Sequence, residues 1–159
     1  MPVIIDGHNL LWLIRNQEED KSITDVALCR VLDIYFGLTN ETAEIIFDGI
    51  GPREKNAFDS IKNLEITFSG RATDCDTLIE NRILDSTAPK RLTIISTDRR
   101  LRDAADERKA TAIKSEDFWD EVQKRISRHK PRKEPAQKRK GLTQSETEMW
   151  LREFGIEKE

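Results

Sequence analysis

Five aspartates carry the chemistry this chain can do. Asp6, Asp48 and Asp98 each close a short apolar run, in Val3-Ile4-Ile5-Asp6, Ile45-Ile46-Phe47-Asp48 and Ile94-Ile95-Ser96-Thr97-Asp98. Asp74 and Asp76 bracket Cys75 just ahead of Leu78-Ile79. Carboxylates at the carboxyl ends of buried strands stand where open α/β sheets bind ligands. Gathered there they repel one another, with little water to screen them, unless something offsets the charge. Mg²⁺ or Mn²⁺ would do so, because hard divalent ions prefer carboxylate and water ligands. Taken singly, each acid has an ordinary role as a turn residue or helix cap, and acids are favoured at helix starts in any case. Taken together they point to one pocket that gathers these acids around a divalent cation.

Other polar residues lie close to these acids. Asn9 is either an N-cap or a partner for a carboxylate or phosphate, and His8 serves packing or chemistry. Glu80, one turn after Asp76, is an outer ligand or an ion-pair partner for Arg82 or Lys90. Arg99, Arg100 and Arg102 follow Asp98 directly and, with Arg71, are candidates to meet substrate phosphates at the rim; a solvated helix face is the alternative.

The elements that must position these residues alternate between strand and helix. Buried strands are expected at the N-terminus, at 43–47 and at 91–96, with a short fifth at 111–113. Leu64-Glu65-Ile66-Thr67-Phe68 alternates with period two, which places it near a sheet edge. Asn9 opens an apolar helix. Ser22-Ile23-Thr24-Asp25 resembles a capping box for a second, with Gly37 where a stop belongs. Thr73 is the expected cap of a helix to about 85, with Leu78, Ile79, Ile83 and Leu84 inward. Further helices are expected from Asp98 to Arg108 and from Ser115 to about Arg128. This alternation implies an α/β fold: a mainly parallel sheet of about five strands, covered on both faces.

Charge divides the chain. Residues 1–122 hold 16 Lys and Arg against 24 Asp and Glu, a net −8; residues 123–140 hold nine basic residues and only Glu134, a net +8; residues 141–159 carry net −3. Residues 1–128 are therefore expected to form one domain, 129–141 a basic flexible linker and 142–159 a short amphipathic helix. That helix has a capping box at Thr143-Gln144-Ser145-Glu146, and Met149, Trp150, Leu151 and Phe154 crowd onto it. A helix so short is marginal alone, so these four residues are expected to dock, either on their own domain or in a groove on a partner. No apolar run approaches the roughly 20 residues of a membrane span, no signal peptide is visible, and Cys29 and Cys75 lack metal or redox spacing. A cytoplasmic location is the resulting expectation. Oligomeric state is not readable.

Other carboxylate-using classes fit less well. Asp74-Cys75-Asp76-Thr77 has the aspartate pair of haloacid-dehalogenase phosphatases, but Phe68-Ser69-Gly70-Arg71 precedes it in place of an apolar first strand. The paired acids after strand one that a receiver domain needs are absent, as is any glycine-rich phosphate loop.

Val3-Ile4-Ile5-Asp6-Gly7-His8-Asn9-Leu10, Phe47-Asp48-Gly49, Ala72 to Glu80 and Ile95 to Arg102 together resemble an NYN domain, the PIN-like nuclease fold, and within it the YacP-like ribonucleases. The motifs span about residues 2–125, which leaves the basic linker and the terminal helix outside the resemblance; with RNA as the implied substrate, the partner expected for that helix is a ribosomal or RNA-bound protein. The resemblance implies a three-layer α/β/α domain and Mg²⁺-dependent RNA cleavage. It also implies metal binding by Asp6, Asp76 and Asp98, with Asn9 and Asp48 as neighbours in the site and Asp74 a further acid beside Asp76. The other reading is an adaptor that keeps the fold, binds RNA or protein and cleaves nothing.

Overall fold

A computed structural model describes residues 2–17, 23–52 and 55–129. The expected basic linker and C-terminal helix, with Met149, Trp150, Leu151 and Phe154, lie outside the described residues. The elements run β1 (Val3–Asp6), α1 (Gly7–Gln17), α2 (Asp25–Thr39), β2 (Ala43–Phe47), β3 (Leu64–Phe68), α3 (Cys75–Asp85), β4 (Thr93–Ile95), α4 (Arg99–Glu107), β5 (Thr111–Ile113) and α5 (Ser115–His129). Short 3₁₀ turns occupy Lys55–Phe58 and Pro89–Arg91.

The strands form one sheet in the order β3-β2-β1-β4-β5, and every pairing is parallel. Side chains alternate across β1. Ile5 joins a core made with α1, α2 and α5, where Leu10, Ile14, Leu28, Leu32, Phe36, Phe118 and Trp119 pack. Ile4 joins a second core with α3 and α4 through Ile79, Ile83, Leu101 and Ala105. Burying each such aliphatic side chain contributes roughly 1.5–3 kcal/mol, so the two helical layers hold the sheet from both faces. From β1 the chain builds outward to β3, then returns through α3 to start again at β4 on the other side of β1. Right-handed crossovers put the outgoing and returning helices on opposite faces. The carboxyl ends of β1 and β4 therefore flank the switch point, where such sheets open a crevice.

Local chemistry moved several boundaries. The cap of α2 is Thr24, whose Oγ1 accepts the Ala27 N–H at 3.1 Å; the helix passes Gly37 and stops at Asn40, which takes the left-handed conformation at φ 61°. Asn tolerates that region because its short polar side chain bonds locally. The cap of α3 is Asp74 and not Thr73. Leu84 faces solvent, in contrast to the expected inner face. β4 is shorter than expected because Pro89-Lys90-Arg91 forms a 3₁₀ turn. Gly7 follows β1 for a steric reason: a Cβ there would lie 2.7 Å from the Phe47 ring. No helix among the described residues is long and apolar enough to cross a membrane.

Candidate active site

The end of β1 places Asp6 at the floor of a cleft of about 500 Å³. Asp6 is 2% exposed, and three donors hold its carboxylate. Ser96 Oγ donates to Oδ2 at 2.8 Å, while the Asn9 N–H donates to Oδ1 at 3.2 Å and the Cys75 thiol to the same oxygen at 3.4 Å. Burial raises the pKa of Asp6, and these hydrogen bonds, with the nearby His8, act against the rise. Ser96 is itself fully buried and also accepts the Asp98 N–H at 3.0 Å, so one hydroxyl joins the ends of β1 and β4.

The remaining acids divide by role. Asp74 caps α3 through the Thr77 N–H at 2.8 Å, and Asp48 reaches across from β2 to accept the Cys75 N–H at 2.8 Å. Two carboxylates thus satisfy the open N–H groups of one helix start, where the helix dipole favours negative charge. Asp98 caps α4 through the Arg100 N–H at 2.9 Å. Asp76, inside the first turn of α3, has no such duty. Its pKa is pushed up to about 6 by burial, by the charge of Asp6 and by a hydrogen bond and repulsion from Asp98, with Arg100 acting in the opposite direction. Ligand atoms of Asp6, Cys75 and Asp76 all lie within 4.8 Å of one another.

Cys75 belongs to this cluster by position and not by charge. Burial and the surrounding carboxylates Asp6, Asp48 and Asp76 push its thiol far above the usual range. The proton it retains is donated to the Ile46 carbonyl at 3.1 Å as well as to Asp6. Sulfur is a poor match for a hard cation whereas carboxylate oxygen suits it, so oxygen donors from Asp6 and Asp76 are the fitting set for Mg²⁺ or Mn²⁺, with Cys75 hydrogen-bonded to Asp6 beside them.

The cleft is lined by Asp6, His8, Asn9, Trp12, Asp48, Asp74, Cys75, Asp76 and Asp98. All five aspartates anticipated from sequence are therefore brought together. Asn9 joins them, with its Oδ1 accepting from the Thr97 N–H at 3.0 Å and the Ser115 hydroxyl at 2.6 Å; it ties the turn after β4 to the start of α5. The arginines are placed differently. None of Arg71, Arg99, Arg100 and Arg102 is part of the lining. Arg100 makes a two-pronged ion pair with Glu80, at 2.7 and 2.8 Å, and Arg82 pairs with Glu44; the expected Glu80–Arg82 or Glu80–Lys90 pairing does not form. Sequence reasoning missed Ser96, Cys75 and Trp12. A small hydroxyl closing an apolar strand immediately before Thr-Asp was the available signal for Ser96.

A family model described as the YacP-like NYN domain matches residues 3–154. The chain belongs to the YacP-like NYN family. The match runs beyond the 2–125 spanned by the NYN motifs and takes in the basic stretch and most of the C-terminal segment, a correction to the expectation that both lie outside it. Among the solved structures that share this fold are two of one protein. The crystal structure of Rae1 (YacP) from Bacillus subtilis superposes with a TM-score of 0.63 at 18% identity, covering 81% of this chain and 77% of that one. The W164L mutant of the same protein gives 0.59 at 15% identity, covering 86% and 87%. A search of curated protein sequences finds no match.

Proposed function

We propose that this NYN domain is a Mg²⁺- or Mn²⁺-dependent ribonuclease that hydrolyses RNA phosphodiester bonds at the Asp6–Asp76–Asp98 cluster. The observation that carries the reading is the state of Asp76. It is a carboxylate pressed against two others, with its pKa lifted to about 6, at the switch point of a parallel sheet in a family of nuclease type. Such crowding is costly unless a cation shares it, and perturbed carboxylates in a cleft mark functional sites.

In this reading Asp6, Asp76 and Asp98 hold the ion or ions. When bound, the metal supplies a water of lowered pKa and charge neutralisation at the phosphoryl oxygens. The chain's own residues do the positioning. Ser96, Asn9 and Cys75 orient the Asp6 carboxylate, an arrangement of outer partners that metal sites generally depend on. Asp48 and Asp74 anchor α3 so that Asp76 faces Asp6, and each remains a candidate further ligand. Arg71, Arg99 and Arg102 are proposed to meet phosphates outside the cleft; Arg100 would have to leave Glu80 to do so. The basic stretch after residue 123 would supply affinity that is independent of sequence and sensitive to salt. The C-terminal residues Met149, Trp150, Leu151 and Phe154 are proposed to dock a ribosomal or RNA-associated partner, on sequence grounds.

Purified protein incubated with labelled RNA tests the reading. Cleavage should require Mg²⁺ or Mn²⁺, cease with chelator and return when metal is restored. RNA bound but uncleaved under every metal condition would favour the silent adaptor.

A further inference from the structure

We propose that Trp12 is a stacking platform for a nucleobase next to the phosphate held at the acids, which makes single-stranded RNA the substrate form. The inference rests on the ribonuclease reading above and concerns how that site receives its substrate.

Among the described residues three large hydrophobic side chains are strongly exposed: Trp12, Ile50 and Leu84, at 59%, 61% and 62%. Leu84 lies at the far end of α3, away from the site. Ile50 follows Asp48 by two residues, on the same sheet edge as the acids. Trp12 lines the cleft itself. An indole left in water forgoes the burial that its neighbours Leu10 and Ile14 obtain on the other side of α1.

The rest of the lining sharpens the point. It consists of five aspartates, His8, Asn9 and Cys75, with no arginine or lysine. A polyanion entering such a cleft can be held at its phosphate through a cation, but the remainder of each nucleotide needs an uncharged surface. The indole face provides one, and base stacking does not depend on the sign of nearby charge. Position agrees: His8 and Trp12 are one turn apart on the same face of α1, and Trp12 stands roughly 7.5 Å along the helix axis from Gly7, the residue that follows Asp6. A base adjacent to the bound phosphate lies within that span. Stacking requires an exposed base face, which a duplex does not offer, and it tolerates any base.

The test uses the full chain and a fluorescently labelled, unstructured oligoribonucleotide, with Ca²⁺ in place of Mg²⁺ so that binding is read without turnover. Trp12→Ala should weaken binding by roughly 5- to 150-fold, the range for loss of one stacked base. Trp12→Phe should stay within about threefold of wild type, because it keeps an aromatic face, whereas Trp12→Leu should behave like Trp12→Ala. Affinity for a blunt RNA duplex of equal length should not change. Wild-type affinity in Trp12→Ala, full retention in Trp12→Leu, or equal losses for single strand and duplex would each overturn the proposal. So would a melting temperature several degrees lower in Trp12→Ala, which would make the indole a packing residue. Wild-type protein that binds single strands through Trp12 yet cleaves nothing would refute the ribonuclease reading and leave the platform standing.

Discussion

The Ser96 hydroxyl donates to Asp6 at 2.8 Å across the ends of two adjacent strands, 90 residues apart in sequence, while accepting the Asp98 N–H. One buried hydroxyl therefore sets the distance between two of the three proposed metal-binding acids. It also lowers the cost of keeping Asp6, itself only 2% exposed, charged.

Ser96→Ala should strip Asp6 of its shortest hydrogen bond and cost about 1–3 kcal/mol of stability, the penalty for a buried group that loses its partner. Metal affinity should fall roughly 10- to 100-fold, as for other outer-sphere partners. Thermal melts and Mn²⁺ titrations of the variant beside wild type measure both.

The metal-free protein should lose stability as pH rises through about 6. Asp76 has its folded pKa raised from an ordinary 3.8 to about 6, so the folded state binds its proton more tightly than the unfolded chain does. The resulting stability is fully present below about pH 4 and is lost as the folded carboxyl ionises. The raised pKa of Asp6 acts in the same direction. Melting temperature against pH in chelator should fall over this window, and Asp76→Asn should flatten the profile.

Divalent metal should restore what ionisation removes. An ion that binds only the folded site stabilises by roughly 2.7 kcal/mol at a hundred times its dissociation constant. Millimolar Mg²⁺ or Mn²⁺ should raise the melting temperature at neutral pH and do much less for Asp76→Asn. Asp76 suits this test better than Asp6, whose oxygens accept three hydrogen bonds that an amide nitrogen would oppose. A melting curve indifferent to metal would count against the site.

Gly7→Ala should destabilise by about 1–3 kcal/mol through overpacking, because the new Cβ would sit 2.7 Å from Phe47 and 2.9 Å from Ile45. The Phe47→Leu background should recover part of the loss by vacating ring atoms. Denaturant melts of the single and double variants check this, and additive losses would deny the contact.

The strand ends carried most of what the sequence made visible. Apolar β-branched runs closed by Asp6, Asp48 and Asp98 identify a parallel sheet and the edge where its acids meet, since strand burial and carboxyl-end chemistry are both local. What depended on one residue of helix phase was harder to read. Which of the two cleft acids Asp74 and Asp76 is spent on the helix start and which is left to meet Asp6 follows from Asp74 being the cap, and a shift of one position turns a helix face by about 100°. The Glu80–Arg100 pair spans 20 residues and competes with equally plausible neighbours such as Arg82, so only the packing of α3 beside α4 decides it. Trp12 lies inside the unbroken run Leu10-Leu11-Trp12-Leu13-Ile14, where periodicity cannot say which member is left outside.

The most direct measurement is the rate at which Asp76→Asn cleaves a labelled single-stranded RNA in Mg²⁺, beside wild type at equal concentration. The substitution is nearly isosteric, leaves the caps at Asp74 and Asp48 intact and removes one oxygen donor with its charge. The account predicts a loss of roughly a thousandfold, the few kcal/mol of transition-state stabilisation that a correctly held ion supplies, with a native circular dichroism spectrum. Cleavage by Asp76→Asn at the wild-type rate would contradict it.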